Sequence, residues 1–256
     1  MSERASSPAY RVPAVVQAFD LLDTLAEHRR GLRLSDLVER LGLSKSTTHR
    51  LLRTLQDLGA VTKDGNDGRY VLGSRLALYA QASGHPHTGL IAPFYSVAER
   101  IRDRHDETIQ LAVLSGAEVT FVAYVETTQA VRLFTRVGRR LPAHASASGK
   151  AILAFRDEAA LTPVLDAGLA ELTDRTITDE KRLRAELSTI RTRGWGSEVE
   201  ESARHLSCFS VPVLDRAGSA VAAVTACVPT AEVPGEHAEQ LVGDLRSGAE
   251  ELGRYL

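Results

Sequence analysis

The stretch LRLSDLVERLGLSKSTTHRLLRTLQDLGAVTKDGNDGRYVLG, residues 32–73, carries the clearest structural signal in this 256-residue chain. It opens with a short helix for which Ser35 is the predicted N-cap, followed by an acid that suits the first turn. Gly42 ends this helix, because glycine readily adopts the left-handed conformation of a helix C-cap. A second helix begins at Ser44. The buried side of the first helix is formed by Leu37, Val38 and Leu41.

The two halves of the second helix differ in character. Its first two turns are polar, whereas its later part carries Leu51, Leu52, Leu55 and Leu58. An α-helix fits the major groove of B-DNA, and the second helix of a helix–turn–helix presents its N-terminal residues to base edges. The residues predicted to contact DNA are Ser44, Lys45, Ser46, Thr47, Thr48, His49, Arg50 and Arg53, together with Arg69 beyond the helix.

Two β-prone runs follow the helix pair. AVTKD and RYVLG flank GNDG (65–68), a turn sequence that is typical of a β-hairpin. Upstream, residues 13–28 place apolar side chains at helical spacing. A helix, a helix–turn–helix and a hairpin in this order predict a winged helix–turn–helix DNA-binding domain over residues 1–73.

Composition and charge are those of a globular protein with an uneven charge distribution. The chain is 43% hydrophobic and 25% charged, with a net charge of −2, which argues against a disordered or fibrous protein. Residues 1–85 hold 12 Lys and Arg against 9 Asp and Glu, which leaves 19 against 24 in residues 86–256. The small net positive charge of residues 1–85 is typical of a nucleic-acid-binding domain. Without a long apolar run or a secretory signal, we expect a cytoplasmic protein.

Beyond residue 73 the pattern changes to strands grouped between helices. A helix over 74–83 and the interruption Gly84-His85-Pro86 predict a linker at 74–86, and a second domain over 87–256. Helices are expected near 88–105, 147–155, 157–167, 179–193 (capped by Thr178) and 236–255. Strands are expected for TIQLAVL (108–114), EVTFVAYV (118–125), AVRLFTRV (130–137), LSCFSVPV (206–213) and SAVAAVTACV (219–228). Short hairpin links favour an antiparallel sheet with helical layers, so the predicted fold class is α+β.

Several motifs resemble the IclR family of transcriptional regulators. Residues 32–73 resemble its winged-helix domain, and RVGRRLPAHASASGKAILAF (136–155) resembles the segment before its effector pocket. TITDEKRLRAELSTIRTRGWGSEVEE (176–201) and LSCFSVPVLDRAG (206–218) resemble its later signatures. The resemblance implies a DNA-binding regulator, most commonly a repressor, that forms a dimer or tetramer. It also implies a GAF-like second domain that binds a small organic effector.

The resemblance places the effector between the start of helix 147–155 and the last two strands. Carried over position by position, the pocket residues are Ala147, Ser148, Glu198, Cys208, Thr225 and Cys227. Unpaired N–H groups over Ala147–Gly149 favour an anion, so the predicted effector bears a carboxylate. Thr225 and Cys227, two residues apart on one strand, share a face. Two interpretations of Glu198 stay open: an acceptor for a ligand, or a solvated loop carboxylate.

This chain departs from the family pattern around the pocket. Thr225 and Cys227 stand where serines are common, and His205 and Val228 stand where glycine is frequent, so the effector cannot be copied from relatives. Cys227 and Cys208 are the only cysteines. Burial as small hydrophobic residues is the favoured interpretation, because neither has a basic neighbour that would activate it. A redox pair requires that the two strands be neighbours.

The sequence lacks the residue types that common enzyme sites require. Ser146–Lys150 lacks the surrounding glycine and hydroxyl residues of a phosphate-binding loop. Glu200 and Glu201, adjacent on an extended segment, are predicted to be two exposed acids that point to opposite sides. His85 and His87 have no cysteine nearby for a zinc site. We therefore predict no enzymatic activity, no metal site and no cofactor.

The sequence thus predicts a regulator that binds a palindromic operator in double-stranded DNA and changes its DNA affinity when a small organic acid binds. An alternative stays open at this point. In it, the second domain is a metabolite-binding or enzymatic module, and the first domain makes protein contacts. The two hypotheses differ in salt dependence, since DNA binding weakens steeply as salt rises.

Overall fold

A computed structural model of the protein describes residues 12–28, 30–65, 67–82, 84, 86–129, 136–230 and 235–256. The chain divides into two units, Met1–His85 and Pro86–Leu256, each with its own buried core. The boundary between the units lies within the segment expected to be a linker, although His85 itself is outside the described residues.

The first unit begins with three helices: α1 (Pro13–Ala26), α2 (Leu34–Leu41) and α3 (Lys45–Asp57). The α3 helix starts where predicted, because Ser44 Oγ accepts a hydrogen bond from the Thr47 N–H at 3.2 Å. The predicted cap of α2 is wrong. Arg33 is its N-cap, and the Arg33 N–H donates to Asp36 Oδ2 at 2.9 Å. The Asp36 carboxylate satisfies this amide from inside the helix, which places Ser35 in the first turn.

A β-hairpin and a further helix complete the first unit. Strands β1 (Val61–Lys63) and β2 (Tyr70–Leu72) are antiparallel, and α4 (Arg75–Ala82) follows them. A backbone bridge from Leu32 to Tyr70 ties the hairpin to the segment before α2. The core consists of apolar residues from the helices and the hairpin: Leu21, Leu25, Leu32, Leu37, Leu52, Leu55, Ala60, Val61 and Tyr70. The order of these elements confirms the winged helix–turn–helix.

The turn between α2 and α3 depends on a left-handed residue. Gly42, the C-cap of α2, has a φ of 63°, and a Cβ added there would meet nothing within 4 Å. The cost of Gly42→Ala is therefore one of backbone conformation alone, about 1 kcal/mol. We expect amide hydrogens of α2 and α3 to exchange roughly fivefold faster in this variant, because local opening becomes easier.

Hydrogen-exchange mass spectrometry on the full chain measures this change directly. Gly65→Ala is the matched control, since Gly65 lies in the hairpin turn without a positive φ and its added Cβ would also meet nothing within 4 Å. Unchanged exchange of α2 and α3 in Gly42→Ala would show that the turn tolerates a Cβ.

The second unit is built on a six-stranded antiparallel sheet with the order β5–β4–β3–β8–β7–β6. Its strands are β3 (Thr108–Ser115), β4 (Glu118–Val125), β5 (Arg140–Pro142), β6 (Gly196–Val199), β7 (Leu206–Leu214) and β8 (Ala220–Pro229). Four of them match predicted strands. The predicted strand 130–137 falls mostly on residues 130–135, outside the described part of the chain, and the third strand described in this region lies further on at β5. The short edge strand β6 was not predicted.

Helices cover both faces of this sheet. A 3₁₀ turn (Pro86–Leu90) leads into α5 (Ile91–His105), and α9 (Gly235–Gly253) packs beside α5 on one face. The other face is covered by α6 (Ala147–Ala154), α7 (Glu158–Asp166) and α8 (Glu180–Arg193). The N-cap of α8 is Asp179, whose Oδ1 accepts the Arg182 N–H at 2.9 Å, and not the predicted Thr178. None of the helices described is both long and apolar enough to span a membrane.

Candidate DNA-binding surface and ligand cavity

One face of α3 presents cations and small polar groups to solvent. Lys45, Ser46, His49, Arg50 and Arg53 are exposed and recur at the three- and four-residue spacing of one helix face. Among the residues that the structure describes, Lys45, Arg50 and Arg53 form no ion pair. Their positive charge is therefore available to an anionic partner. Such a face has the composition that phosphate and base-edge contacts require.

The first turn of α3 is organised by Ser44. Its Oγ lies 3.0 Å from Ser46 Oγ and 2.9 Å from Thr47 Oγ1, in addition to capping the helix. Thr48 must be removed from the predicted contacts. Its side chain is fully buried and its Oγ1 donates to the Ser44 carbonyl at 3.1 Å. The helical period places Thr48 on the same face as the core residue Leu52, so it faces the core and not the exposed face of α3.

Two cationic side chains, Arg69 and Lys63, lie on the hairpin of the first unit. Arg69 Nη1 donates to the Gly31 carbonyl at 2.9 Å, and Arg69 Nε lies 3.7 Å from Asp67 Oδ2. Part of the Arg69 guanidinium therefore braces the hairpin against the chain before α2. Lys63, which the sequence argument missed, is exposed on β1 with its Nζ 5.4 Å from the centre of the Tyr70 ring. Its position on a strand of the predicted hairpin is the signal from which Lys63 could have been identified.

The N-terminus of α6 is partly capped by its own chain. Ser146 Oγ accepts the Gly149 N–H at 3.1 Å, so that amide is not free to bind an anion as predicted. The N–H groups of Ala147 and Ser148 have no hydrogen-bond acceptor within the described ranges. Gly149 serves packing instead, because a Cβ there would lie 2.2 Å from the Ala143 carbonyl oxygen.

A small cavity lies between this helix terminus and strands β7 and β8. Its volume is about 20 Å³, which is room for one water molecule. Six of the seven predicted effector residues line it, namely Ala147, Ser148, Glu198, Cys208, Thr225 and Cys227, whereas Gly149 does not. Thr225 and Cys227 do share a face, as predicted, since both line the cavity.

Four polar residues of this wall were not predicted from the sequence: Gln110, Arg139, Ser146 and Ser202. Gln110 is buried and interrupts the apolar run of β3, which is a signal visible in the sequence. Arg139 and Ser202 lie in irregular segments before β5 and after β6, where no local pattern indicates which way a side chain points.

Glu198 is a buried carboxylate and not a solvated one. Its side chain lies on β6 with 1% of the residue exposed. Oε2 accepts the Glu201 N–H at 2.7 Å and the Ser202 N–H at 3.3 Å, and Oε1 accepts the Ser202 hydroxyl at 2.6 Å. Burial raises the pKa of Glu198, and these hydrogen bonds oppose that rise. The carboxylate therefore orders the loop after β6 while facing the cavity.

The adjacent acids also differ from the prediction of two exposed carboxylates. Glu201 Oε1 lies 2.5 Å from Lys150 Nζ, and their side chains are 12% and 1% exposed. Glu200 is 17% exposed and its Oε2 lies 3.3 Å from Arg175 Nε. Neither acid is solvated, because the loop folds back between α6 and the segment that carries Arg175.

The two cysteines lie opposite each other on β7 and β8. The Cys208 Sγ–H donates to Cys227 Sγ at 3.0 Å, and the Cys227 Sγ–H donates to Gln110 Oε1 at 3.6 Å. Both residues are free thiols and buried. Burial, the neighbouring thiol and Glu198 together raise the pKa of Cys208, with the hydrogen bond to Cys227 as the largest cause. The strands are neighbours, which is the condition stated for a redox pair.

Comparisons with known proteins agree with this arrangement. The family model described as the IclR helix-turn-helix domain matches residues 14–65, and that described as the bacterial transcriptional regulator IclR C-terminal domain matches residues 85–254. The chain is 30% identical to the HTH-type transcriptional regulator KdgR of Escherichia coli (strain K12), across 96% of this chain and 93% of KdgR. It is 29% identical to the transcriptional repressor IclR of the same organism, across 97% of this chain and 92% of the repressor.

A solved structure gives the same result at the level of the fold. An IclR homolog from Microbacterium hydrocarbonoxydans, complexed with 4-hydroxybenzoate, matches with a TM-score of 0.67 and 29% identity, across 95% of this chain and 97% of that one. The relatives are transcriptional regulators and not enzymes. With one family model covering the winged helix–turn–helix and the other most of the second unit, the chain belongs to the IclR family of transcriptional regulators.

Proposed function

We propose that the protein is a repressor whose affinity for its operator changes when a small organic carboxylate binds in the second unit. The observation that carries the proposal is the exposed face of α3, where Lys45, Arg50 and Arg53 form no ion pair within the described part of the chain. In a winged helix–turn–helix this face enters the major groove, and the helix terminus at Ser44 meets a backbone phosphate. Arg69 and Lys63 reach the DNA backbone from the hairpin.

The DNA-binding form is proposed to be a homodimer or a homotetramer. Five large apolar side chains of the first unit are more than half exposed, namely Val12, Val15, Phe19, Leu78 and Tyr79. Exposed apolar groups on two helices of one small unit favour an interface. A two-fold pair of winged helices then matches the two halves of a palindromic operator. Sedimentation equilibrium of the full chain measures the assembly, and a monomer at micromolar concentration would contradict this part of the proposal.

The cavity beside α6 supports a carboxylate as the effector. The unpaired N–H groups of Ala147 and Ser148 and the guanidinium-bearing Arg139 favour an anion. Thr225 and Glu198 supply hydrogen-bonding groups for the rest of the ligand. A small aliphatic or aromatic acid fits this chemistry, and the homolog from Microbacterium hydrocarbonoxydans has 4-hydroxybenzoate bound.

The size of the cavity suggests how binding is coupled to DNA affinity. Ligand pockets typically measure about 300 Å³ or more, whereas this cavity measures about 20 Å³. An organic acid therefore enters only if the surrounding segments move apart. A ligand that binds the expanded form more tightly shifts the population toward it, and by linkage it changes DNA affinity if the two forms bind DNA differently.

Fluorescence anisotropy with the protein's own upstream DNA tests the proposal. A scrambled duplex of the same length is the control, and a panel of aliphatic and aromatic carboxylic acids supplies the ligands. We expect specific binding that weakens steeply with salt and that one acid strengthens or abolishes. Binding no tighter than to the scrambled duplex, with every acid of the panel, would contradict the proposal.

The role of Glu198 in effector binding gives a separate prediction. Glu198→Gln keeps the volume of the side chain but removes the charge and one acceptor oxygen. We expect effector affinity to fall roughly fivefold, about 1 kcal/mol, because a hydrogen bond to a charged group is lost. DNA affinity without effector should be unchanged. Isothermal titration with the acid identified in the panel measures the first quantity.

Glu239→Gln is the matched control for this prediction. It makes the same chemical change on an exposed position of α9, away from the cavity-lining residues. Equal effector affinity in Glu198→Gln and in the unmodified protein would assign Glu198 to loop ordering alone.

A further inference from the structure

The cysteine pair is an unusual feature of the cavity wall. Cys208 and Cys227 face each other across β7 and β8 in the same register position. Their sulfurs are 3.0 Å apart, and each residue is 6% exposed. Within the described part of the chain they are the only two thiols in contact, and both line the cavity that also contains Glu198.

The strand register makes the pair suitable for a covalent bond. The Thr230 N–H donates to the His205 carbonyl at 3.1 Å, which makes these two residues a hydrogen-bonded pair. Pairs alternate along an antiparallel ladder, and Cys208 opposite Cys227 lies three steps away, so it is a non-hydrogen-bonded pair. In such pairs the Cα atoms are about 4.5 Å apart and the side chains are closest, within the Cα separation that disulfides span.

We propose that Cys208 and Cys227 are a redox site that small peroxides oxidise to an intramolecular disulfide in the wall of the effector cavity. One cysteine, as its thiolate, attacks an oxygen of hydrogen peroxide. The O–O bond breaks, hydroxide leaves and takes up the thiol proton as water, and a sulfenic acid remains. The sulfur of the second cysteine then attacks the sulfenic sulfur, and a second water departs. The two thiols together lose two electrons and two protons to the peroxide.

The surroundings set the size of the oxidant and the speed of the reaction. A cavity of about 20 Å³ excludes bulky disulfides, so the oxidant that reaches the two sulfurs must be a small one such as hydrogen peroxide. The thiol form of Cys208 is favoured by its burial beside Cys227 and Glu198, so the reaction is slow at neutral pH. The site therefore responds to sustained exposure to peroxide. In reducing compartments, disulfides that do form are usually transient and sensory.

Oxidation changes the cavity itself. Disulfide formation brings the sulfurs from 3.0 Å to about 2.05 Å and removes both S–H donors. The hydrogen bond from Cys208 to Cys227 Sγ is replaced by the covalent bond, and Gln110 loses the hydrogen bond from Cys227. We therefore expect the oxidised protein to bind its effector several-fold more weakly, an expectation that rests on the proposed function.

Intact-mass spectrometry of the full chain tests the redox site without reference to DNA or effector. The protein is incubated with hydrogen peroxide, unfolded in denaturant with N-ethylmaleimide and weighed without reductant. We expect the loss of two hydrogen atoms, no maleimide adduct, a peptide that links Cys208 to Cys227 and recovery of both thiols with dithiothreitol. Two maleimide adducts after prolonged exposure, or added oxygen atoms without a cross-link, would overturn the proposal.

Single variants and a binding measurement complete the test. Cys208→Ser and Cys227→Ser change one atom each, and peroxide should leave their remaining thiol as an oxygen adduct or as a maleimide adduct. A peptide cross-linked between two chains in either variant would show that the thiols are accessible to other molecules and would overturn the intramolecular site. A disulfide that forms while effector affinity stays unchanged would overturn the effect on the effector only.

Discussion

Arg50→Ala is expected to lower affinity for the operator by more than tenfold while leaving the oligomeric state unchanged. Arg50 is exposed one turn after Ser46 and points away from the core that holds α3. An arginine that binds a guanine edge contributes about 1–3 kcal/mol of discrimination. A dimer loses this contact at both half-sites, so the expected loss is about 2–6 kcal/mol, or roughly thirtyfold or more.

Anisotropy titrations against the operator and the scrambled duplex measure the change. Because Arg50 is expected to read a base, specific affinity should fall much more than affinity for the scrambled duplex. Arg182→Ala is the matched control, since it removes an exposed arginine from α8 in the second unit. Operator binding by Arg50→Ala that equals that of the control would contradict the assignment of α3 as the recognition helix.

Local signals predicted the DNA-binding unit well because its helices are specified by nearby residues. Ser44 caps α3 and Gly42 ends α2 through contacts within four residues, so the sequence alone was sufficient. The cap of α2 was wrong because two acceptors compete there, and the Asp36 carboxylate reaches the Arg33 amide. Thr48 was misassigned although the helical period, which aligns it with Leu52, indicated its burial.

The cavity was harder to predict because its geometry comes from distant segments. Strand β6 has only four residues and shows no apolar alternation, so neither the strand nor the burial of Glu198 follows from its sequence. The partners of Glu198 lie in the loop after β6, and this loop is held in turn by α6. The family resemblance supplied the lining residues, whereas the pairing of Cys208 with Cys227 required the strand register.

A buried ion pair connects α6 to the loop after β6. Lys150 Nζ lies 2.5 Å from Glu201 Oε1, and the Lys150 side chain is 1% exposed. Among the described residues, Glu201 Oε2 is a buried oxygen without a hydrogen-bond partner. Two further hydrogen bonds fix the same loop, from Thr173 Oγ1 to the Glu200 carbonyl at 2.6 Å and from Thr176 Oγ1 to the Glu201 carbonyl at 2.7 Å.

Lys150→Met is therefore expected to destabilise the second unit strongly, by about 3–5 kcal/mol. Removing one partner of a buried pair leaves an uncompensated charge, here the Glu201 carboxylate. Trp195, the only tryptophan of the chain, precedes β6 and reports unfolding of this unit in urea. Lys150→Met combined with Glu201→Gln should recover most of the loss, because the charge that Lys150 compensates is then absent.

The pH dependence of Lys150→Met separates a charge effect from a packing effect. Burial raises the pKa of Glu201, and attraction to Lys150 opposes the rise, so this pKa is higher still in the variant. A carboxyl whose pKa is raised by folding binds protons more tightly in the folded state, so stability falls as the pH rises above the ordinary range of glutamate. The loss in Lys150→Met should accordingly be larger at about pH 8 than at about pH 5.

Arg184→Met, which breaks an exposed pair with Glu158, is the control and should cost about 1 kcal/mol or less at either pH. An equal loss at both pH values in Lys150→Met would instead show that the loss does not come from the uncompensated charge of Glu201.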